Sequence, residues 1–507
     1  MRQAWKASVL SSSFTHMHRF TFCWIIAWVL SAPCFAQPAP THIQQSVEVG
    51  GRSLRYTLTA GTLPVLDEHG ATTADVFYIA YVLDGVSAGR QPMESRPHRP
   101  VTFALNGGPG SASVFLHLGG LGPRRVSFAN QPDMPSDPVG SLANPDTWLD
   151  FTDLVFIDPV GTGFSRSRLD PTESGKRFYG TRQDIEYLSR IVCDWLTANG
   201  RMTSPVYLAG ESYGGYRVPA MSYYLQTQLG LGVQGEVLIS PALDNAQRFD
   251  PTKDVGSLSP MPFVVALPSF AAAHLEQLGL LDEAHMAPAL AYARGDYIVD
   301  LMRGETDPQA RERLVGRVTD LTGLDPAFVR RTGGRIEVDA FTRERLRRQA
   351  KLSSQYDINV TADDPFPFSG IPRAGDPVLD RMVARVTAAV TDLVTREVGW
   401  KATVPYASIS YPVNKQWNGG RAEHWQSIED LRRSLAADTR LKVLIAHGWT
   451  DLACPVLASM LIVDQMPDWA EPSRVQIKTY AGGHMFYTRP GSGAALKRDV
   501  MRMYFQQ

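Results

Sequence analysis

The sequence predicts an α/β fold with a mostly parallel central sheet, an antiparallel N-terminal edge and a largely helical insertion. Three observations carry this. Short apolar runs (Val101–Leu105, Leu154–Ile157, Val206–Ala209, Glu236–Ile239, Leu441–Ala446) each stop at a turn or loop, as strands buried on both faces do, and Val475–Tyr480 reads as one more strand. Residues 45–85 instead alternate apolar and polar, as in Phe77-Tyr78-Ile79-Ala80-Tyr81-Val82, which suits an antiparallel edge. From about 248 to 435 the chain turns charged and helical, without strand–helix alternation.

In chain order, residues 1–36 read as a secretory signal. Arg2, Lys6 and Arg19 precede the apolar run Phe20–Leu30, and small residues at Cys34 and Ala36 place a cut before Gln37. Translation starting at Met1 or at Met17 fits this leader, and the run is too short and wrongly flanked for a membrane span. Residues 37–247 form the first part of the core, with a helix over Gln183–Ala198 that stops at Asn199-Gly200. Residues 248–435, with helical stretches over 307–318 and 380–398, insert as a cap above the strand ends, and 436–507 complete the core.

The chemistry centres on Gly210-Glu211-Ser212-Tyr213-Gly214, directly after the strand Val206–Ala209. This G-x-S-x-G pattern is a sharp strand-to-helix turn that exposes a serine hydroxyl, and its glycines leave room where Cβ atoms would crowd the turn. A serine nucleophile needs a base and an orienting acid, in the order serine, acid, histidine. Asp451 follows the strand Leu441–Ala446, and His484 follows Val475–Tyr480. Asp451 is therefore expected to hold the imidazole, and His484 to take and return the serine proton. His447 precedes the acid and reads as a structural neighbour; His117, in a glycine-rich loop, could line the pocket.

Negative charge that develops on the substrate needs donors. Asn106-Gly107-Gly108-Pro109-Gly110 follows the strand Val101–Leu105, and an amide of this loop with the Tyr213 N–H can supply them. A phosphate-cradling loop is the rival reading, and it is disfavoured because no Lys-Ser/Thr pair follows the glycines and no Walker spacing is present.

Four segments together resemble the serine carboxypeptidase family: Asn106–Gly110, Asp158-Pro159-Val160-Gly161-Thr162-Gly163-Phe164-Ser165, Gly210–Gly215, and the late Asp451 and Gly483-His484 segments. Thr450-Asp451-Leu452-Ala453 and Gly483-His484-Met485-Phe486-Tyr487 resemble its bacterial, secreted branch. The resemblance implies an α/β-hydrolase fold and a triad of Ser212, Asp451 and His484, with Gly108 and Tyr213 as oxyanion donors. It also implies that Asn106, Gly107 and Glu211 bind the free carboxylate of a peptide and that Met485 touches the departing residue. Glu211, desolvated beside the nucleophile, would titrate high and donate to that carboxylate while protonated. The family usually pairs this Glu with a second carboxyl, and Gly120 stands in its place here. His117, Arg124 and Arg125 are offered nearby instead, and a cation there could bind a carboxylate without acid, or the arginines could be a solvated pair.

Composition sets the outer limits. A net charge of −1 gives no reason to expect nucleic acid or an anionic membrane as partner. Of 4 cysteines, Cys23 and Cys34 lie in the leader, and Cys193 and Cys454 are expected as buried thiols, although they could pair. No Cys or His cluster suggests a metal, and no cofactor is called for. The expectation is a secreted or periplasmic serine carboxypeptidase acting on peptides with a free C-terminus, without stable membrane association after signal cleavage. The alternatives are an esterase or acyltransferase with the same triad, or a binding protein whose triad would be broken. Trp417 and Tyr411 of the cap are candidates to meet the substrate.

Overall fold

The nine principal strands of one mixed sheet carry the chain in a computed structural model. It describes residues 39–84, 99–126, 134–247, 259–369, 375–420, 424–467 and 473–505, so the expected leader and its two cysteines lie outside the described residues. The strands are β1 Thr41–Val49, β2 Arg52–Leu66, β3 Thr72–Leu83, β4 Val101–Leu105, β5 Asp153–Ile157, β6 Val206–Glu211, β7 Gly235–Ile239, β8 Lys442–Gly448 and β9 Val475–Tyr480. Their order across the sheet is β1-β2-β3-β5-β4-β6-β7-β8-β9. The N-terminal strands β1 to β3 are antiparallel, β3 meets β5 antiparallel, and every pair from β5 to β9 is parallel. A short segment, Arg166–Ser167, adds to the free end of β3.

Burial explains the two sequence signatures. Every residue of β4, β5, β6 and β7 is buried, because helices cover both faces. Along β4 and β5, Phe103, Leu105, Val155 and Ile157 face the helices Thr181–Ala198 and Tyr213–Gln228. Ala104, Leu154 and Phe156 face the opposite layer, which includes Leu496 and Val500 of helix Pro490–Phe505. The edge strand β1 is exposed at alternate positions through most of its length, as the sequence alternation requires.

Strands β7 and β8 are neighbours, yet the chain leaves the sheet between them for the helices that start at Met261 and end at Ala437. The helix expected over 307–318 runs Pro308–Thr322, and the one over 380–398 runs Pro377–Asp392 before a wider turn, Leu393–Glu397. Both begin where Asp307 and Asp376 accept backbone amides ahead of a proline, so capping chemistry fixes their starts. This region also holds a small antiparallel pair, Lys351–Ser353 with Thr361–Asp363. Its apolar centre, with Phe270 stacked on Phe341 at 4.0 Å, includes Leu452 and Leu457 from the segment after β8. Helix packing therefore reaches the loop that carries Asp451.

Cys193 is half-buried and Cys454 buried, and the two are not joined by a disulfide. No described helix is long and apolar enough to cross a membrane.

Candidate active site

Strand β6 turns into helix Tyr213–Gln228 at Ser212, which adopts φ +60° and ψ −122°. A non-glycine residue there stores roughly 1–3 kcal/mol of backbone strain and persists only if its surroundings impose it. They do. Ser212 N–H donates to the Ile239 carbonyl (3.0 Å), and the Ser212 carbonyl accepts from Gly215 (2.8 Å) and Ala242 (2.9 Å). A Cβ on Gly210 would strike the Gly214 carbonyl, and one on Gly214 the Leu105 carbonyl, so both glycines of the pentapeptide are needed.

The loop after β4 lies against this elbow. A Cβ on Gly107 would meet the Tyr213 amide nitrogen and, at 2.7 Å, the Glu211 carbonyl. Arg217, wholly buried, orients the loop: its guanidinium pairs with Asp184 (2.6 Å) and donates to the carbonyls of Asn106 and Gly107. The Gly107 carbonyl also accepts from Ser111 (3.1 Å). These bonds fix the plane of the Gly107–Gly108 peptide. The Tyr213 N–H opens the helix and has no helical acceptor. Asp158, from the second motif, braces the same loop by accepting from the Ser113 N–H (2.9 Å), and burial raises its carboxyl to about 7.

The acid and base come from the ends of β8 and β9. Asp451 Oδ2 lies 2.8 Å from His484 Nδ1 in a fully enclosed pair, and Asp451 Oδ1 accepts from Cys454 N–H at 3.0 Å. An ionised carboxylate is acceptor-only, so Nδ1 carries the proton and Nε2 is the nitrogen able to serve a hydroxyl. Ser212 and His484 line one cavity of about 230 Å³ with Asn106, Gly107, Gly108, Glu211 and Met485. Tyr213 lies beneath it with its ring buried against Trp417 (5.5 Å) and Arg217. The rest of the wall is mainly apolar, with Phe115, Tyr356, Leu379, Ile409 and Ala453 and the 62 % exposed Tyr411. Of the two cap aromatics considered, Tyr411 reaches the cavity and Trp417 packs under the elbow.

Glu211 is buried, and each of its oxygens has a donor. Asn106 Nδ2 donates to Oε2, and the Tyr487 hydroxyl donates to Oε1 at 2.8 Å. Burial pushes the Glu211 carboxyl up to about 7, opposed by His484 and the Tyr487 hydroxyl and assisted by Asp451.

The cationic reading of the neighbouring loop does not hold. Arg124 pairs with Glu397 (2.6 Å), Arg125 faces Asp146 (3.9 Å), and neither lines the cavity. His117 is also absent from it: its Nε2 bonds the Tyr81 hydroxyl (2.7 Å), and burial lowers its imidazole to about 3. His447 is likewise structural, bonded to Ser459 (2.9 Å) and held down to about 4 by burial.

Sequence reasoning missed three features. The first is the Arg217–Asp184 pair, whose signal is a lone arginine on a mainly apolar helix five residues past the serine. The second is Tyr487. The third is the cap segment 355–358, which clasps the acid and base loops. Leu452 N–H donates to Gln355 (2.9 Å), Ile358 N–H to Thr450 (3.3 Å) and His484 N–H to Tyr356 (2.5 Å). Asp357 then takes Thr450 Oγ1 (3.0 Å) and Arg489 (2.6 Å). Among the described residues, no group of His, Cys, Asp and Glu side chains is placed to hold a metal ion.

Residues 74–249 match the serine carboxypeptidase family. The chain is 33% identical over 171 residues to serine carboxypeptidase-like 50 of Arabidopsis thaliana, covering 33% of each protein. It is 28% identical over 195 residues to serine carboxypeptidase S10 family member 1 of Dictyostelium discoideum, covering 38% of this chain and 41% of that one. The chain thus matches well under half the length of these curated relatives. Among solved structures, a prohormone-processing carboxypeptidase from Saccharomyces cerevisiae shares the fold, with a TM-score of 0.53 at 14% identity over 89% of this chain and 91% of that one.

Proposed function

We propose, from the match of residues 74–249 to the serine carboxypeptidase family, that this chain removes residues from free peptide C-termini through an acyl-enzyme. Ser212 Oγ attacks the carbonyl carbon of the last peptide bond while His484 Nε2 takes its proton, and Asp451 stabilises the imidazolium. The oxyanion sits between the Gly108 and Tyr213 N–H groups, where one donor lowers the barrier by about 3 kcal/mol. His484 returns the proton to the leaving nitrogen, the C–N bond breaks, and the shortened peptide stays esterified to Ser212. Water, deprotonated by the same imidazole, then releases it. Met485 contacts the departing residue.

The observation that carries the reading is a buried Asp451–His484 hydrogen bond ending in the cavity that also holds the strained Ser212 and Glu211. Asn106, Gly107 and Glu211 bind the terminal carboxylate. Glu211 serves while protonated, so turnover of free-acid peptides is present below about pH 7 and lost as pH rises through it. The leader at 1–36 supports export to the periplasm or beyond, and the wording of the Thr450 and Gly483 segments supports the bacterial branch.

The test compares a blocked dipeptide, its C-terminal amide and a simple ester from pH 4 to 8. The proposal expects the free acid to be preferred at low pH. Equal turnover of acid and amide throughout would remove carboxylate recognition and leave the esterase or acyltransferase reading.

A further inference from the structure

Resting on that carboxylate reading, we infer that Tyr487, seated in space that Gly120 leaves open, is a positioning residue that makes Glu211 a one-proton gate for the substrate terminus. A Cβ on Gly120 would stand 2.9 Å from Tyr487 Cδ2, so the absence of a side chain at 120 lets the phenol ring lie there. From that seat its hydroxyl reaches Glu211 Oε1 at 2.8 Å.

The other Glu211 oxygen is also met by a fixed donor. Asn106 Oδ1 accepts from Leu116 N–H at 2.9 Å, which sets the amide orientation and turns Nδ2 toward Glu211 Oε2. Both protein partners of the carboxyl are therefore donors. Accepting the Glu211 proton would force the buried Tyr487 hydroxyl to turn its own hydrogen away from its bonded partner. When Glu211 is protonated, that proton is directed to the cavity, where a substrate carboxylate accepts it. A second carboxyl at this place would share the proton, and the two groups would titrate together. Tyr487 prevents this, because burial and the neighbouring Glu211 hold its hydroxyl protonated well above the ordinary phenol range. The charged groups facing Glu211 from the packed loops are His484 and Asp451, and both are shared with every substrate of the site.

The experiment is the pH dependence of the acid-to-amide ratio of kcat/KM, with folded enzyme counted by phosphonylation of Ser212. Dividing by the amide cancels the titration of His484. In the unaltered protein the ratio should fall tenfold per pH unit above a midpoint near the Glu211 value of about 7. Tyr487→Phe keeps the ring but removes a bond that favours the ionised carboxylate, so the midpoint should rise by about one pH unit. Gly120→Ala, which displaces the ring, should move it the same way. A midpoint that stays or falls in both variants, or a two-proton fall in the unaltered protein, overturns the inference while carboxylate recognition stands. A ratio of one at every pH in the unaltered protein overturns carboxylate recognition itself, and the inference with it.

Discussion

Replacing Arg217 by methionine tests whether the oxyanion loop is held from behind. Arg217 and Asp184 have side-chain exposures of 0% and 1%, so solvent neither screens the pair nor fills the gap. The variant leaves the Asp184 carboxylate with the Tyr187 hydroxyl (3.3 Å), and it removes a donor from the carbonyls of Asn106 and Gly107. Breaking a buried pair on one side costs about 3–5 kcal/mol. In a chain of this size that lowers Tm by on the order of 5 °C. With its carbonyls released the loop no longer holds the proposed Gly108 donor in place, and kcat on an ester should drop about 100-fold, the scale of one lost oxyanion donor. Adding Asp184→Leu removes the stranded charge and should recover most of the Tm, since apolar replacement of a buried pair is often neutral. It should not recover kcat, because the loop still lacks its anchor. Thermal unfolding and ester kinetics on the single and double variants separate the two effects. An unchanged kcat in the single variant, or full recovery in the double, would refute the anchoring argument.

Asp451→Asn should lower kcat about 10⁴-fold with little change in KM, by favouring the wrong imidazole tautomer, as steady-state ester kinetics would show. Gly107→Ala places a methyl group against the Tyr213 amide and the Glu211 carbonyl, and ester kcat should fall at least about 100-fold, because loop and elbow cannot both stay in place. Glu211→Gln cannot ionise. Its acid-to-amide ratio should therefore lose the fall that the unaltered protein shows through about pH 7, and a persistent fall there would assign the titration to another group.

The sheet was legible because strands buried on both faces become continuous apolar runs, and β4 begins and ends where its run does, at Val101 and Leu105. Ser212, Asp451 and His484 were legible as candidates for a related reason: turn chemistry is local, and each follows a strand in the order the elbow demands. What the sequence could not display are contacts between remote side chains. Tyr487 and Glu211 are 276 positions apart, so nothing near Gly120 announces the hydroxyl that reaches Glu211. Arg124 suggested a carboxylate partner, yet it is taken by Glu397, 273 positions away. The clasp of Asp357 on Thr450 joins two segments whose patterns are independent. Helix boundaries shifted for a local reason. Asp376 with Pro377 starts its helix three residues before the expected position, because a cap and a proline outweigh apolar spacing there.

Covalent trapping tests the nucleophile most directly. Incubation with a fluorophosphonate, followed by intact mass and peptide mapping, should show one adduct per chain, carried by Ser212, with peptide and ester hydrolysis lost in proportion. Ser212→Ala should take no label and hydrolyse neither substrate. A label on a different residue, or turnover that survives in Ser212→Ala, would contradict the account.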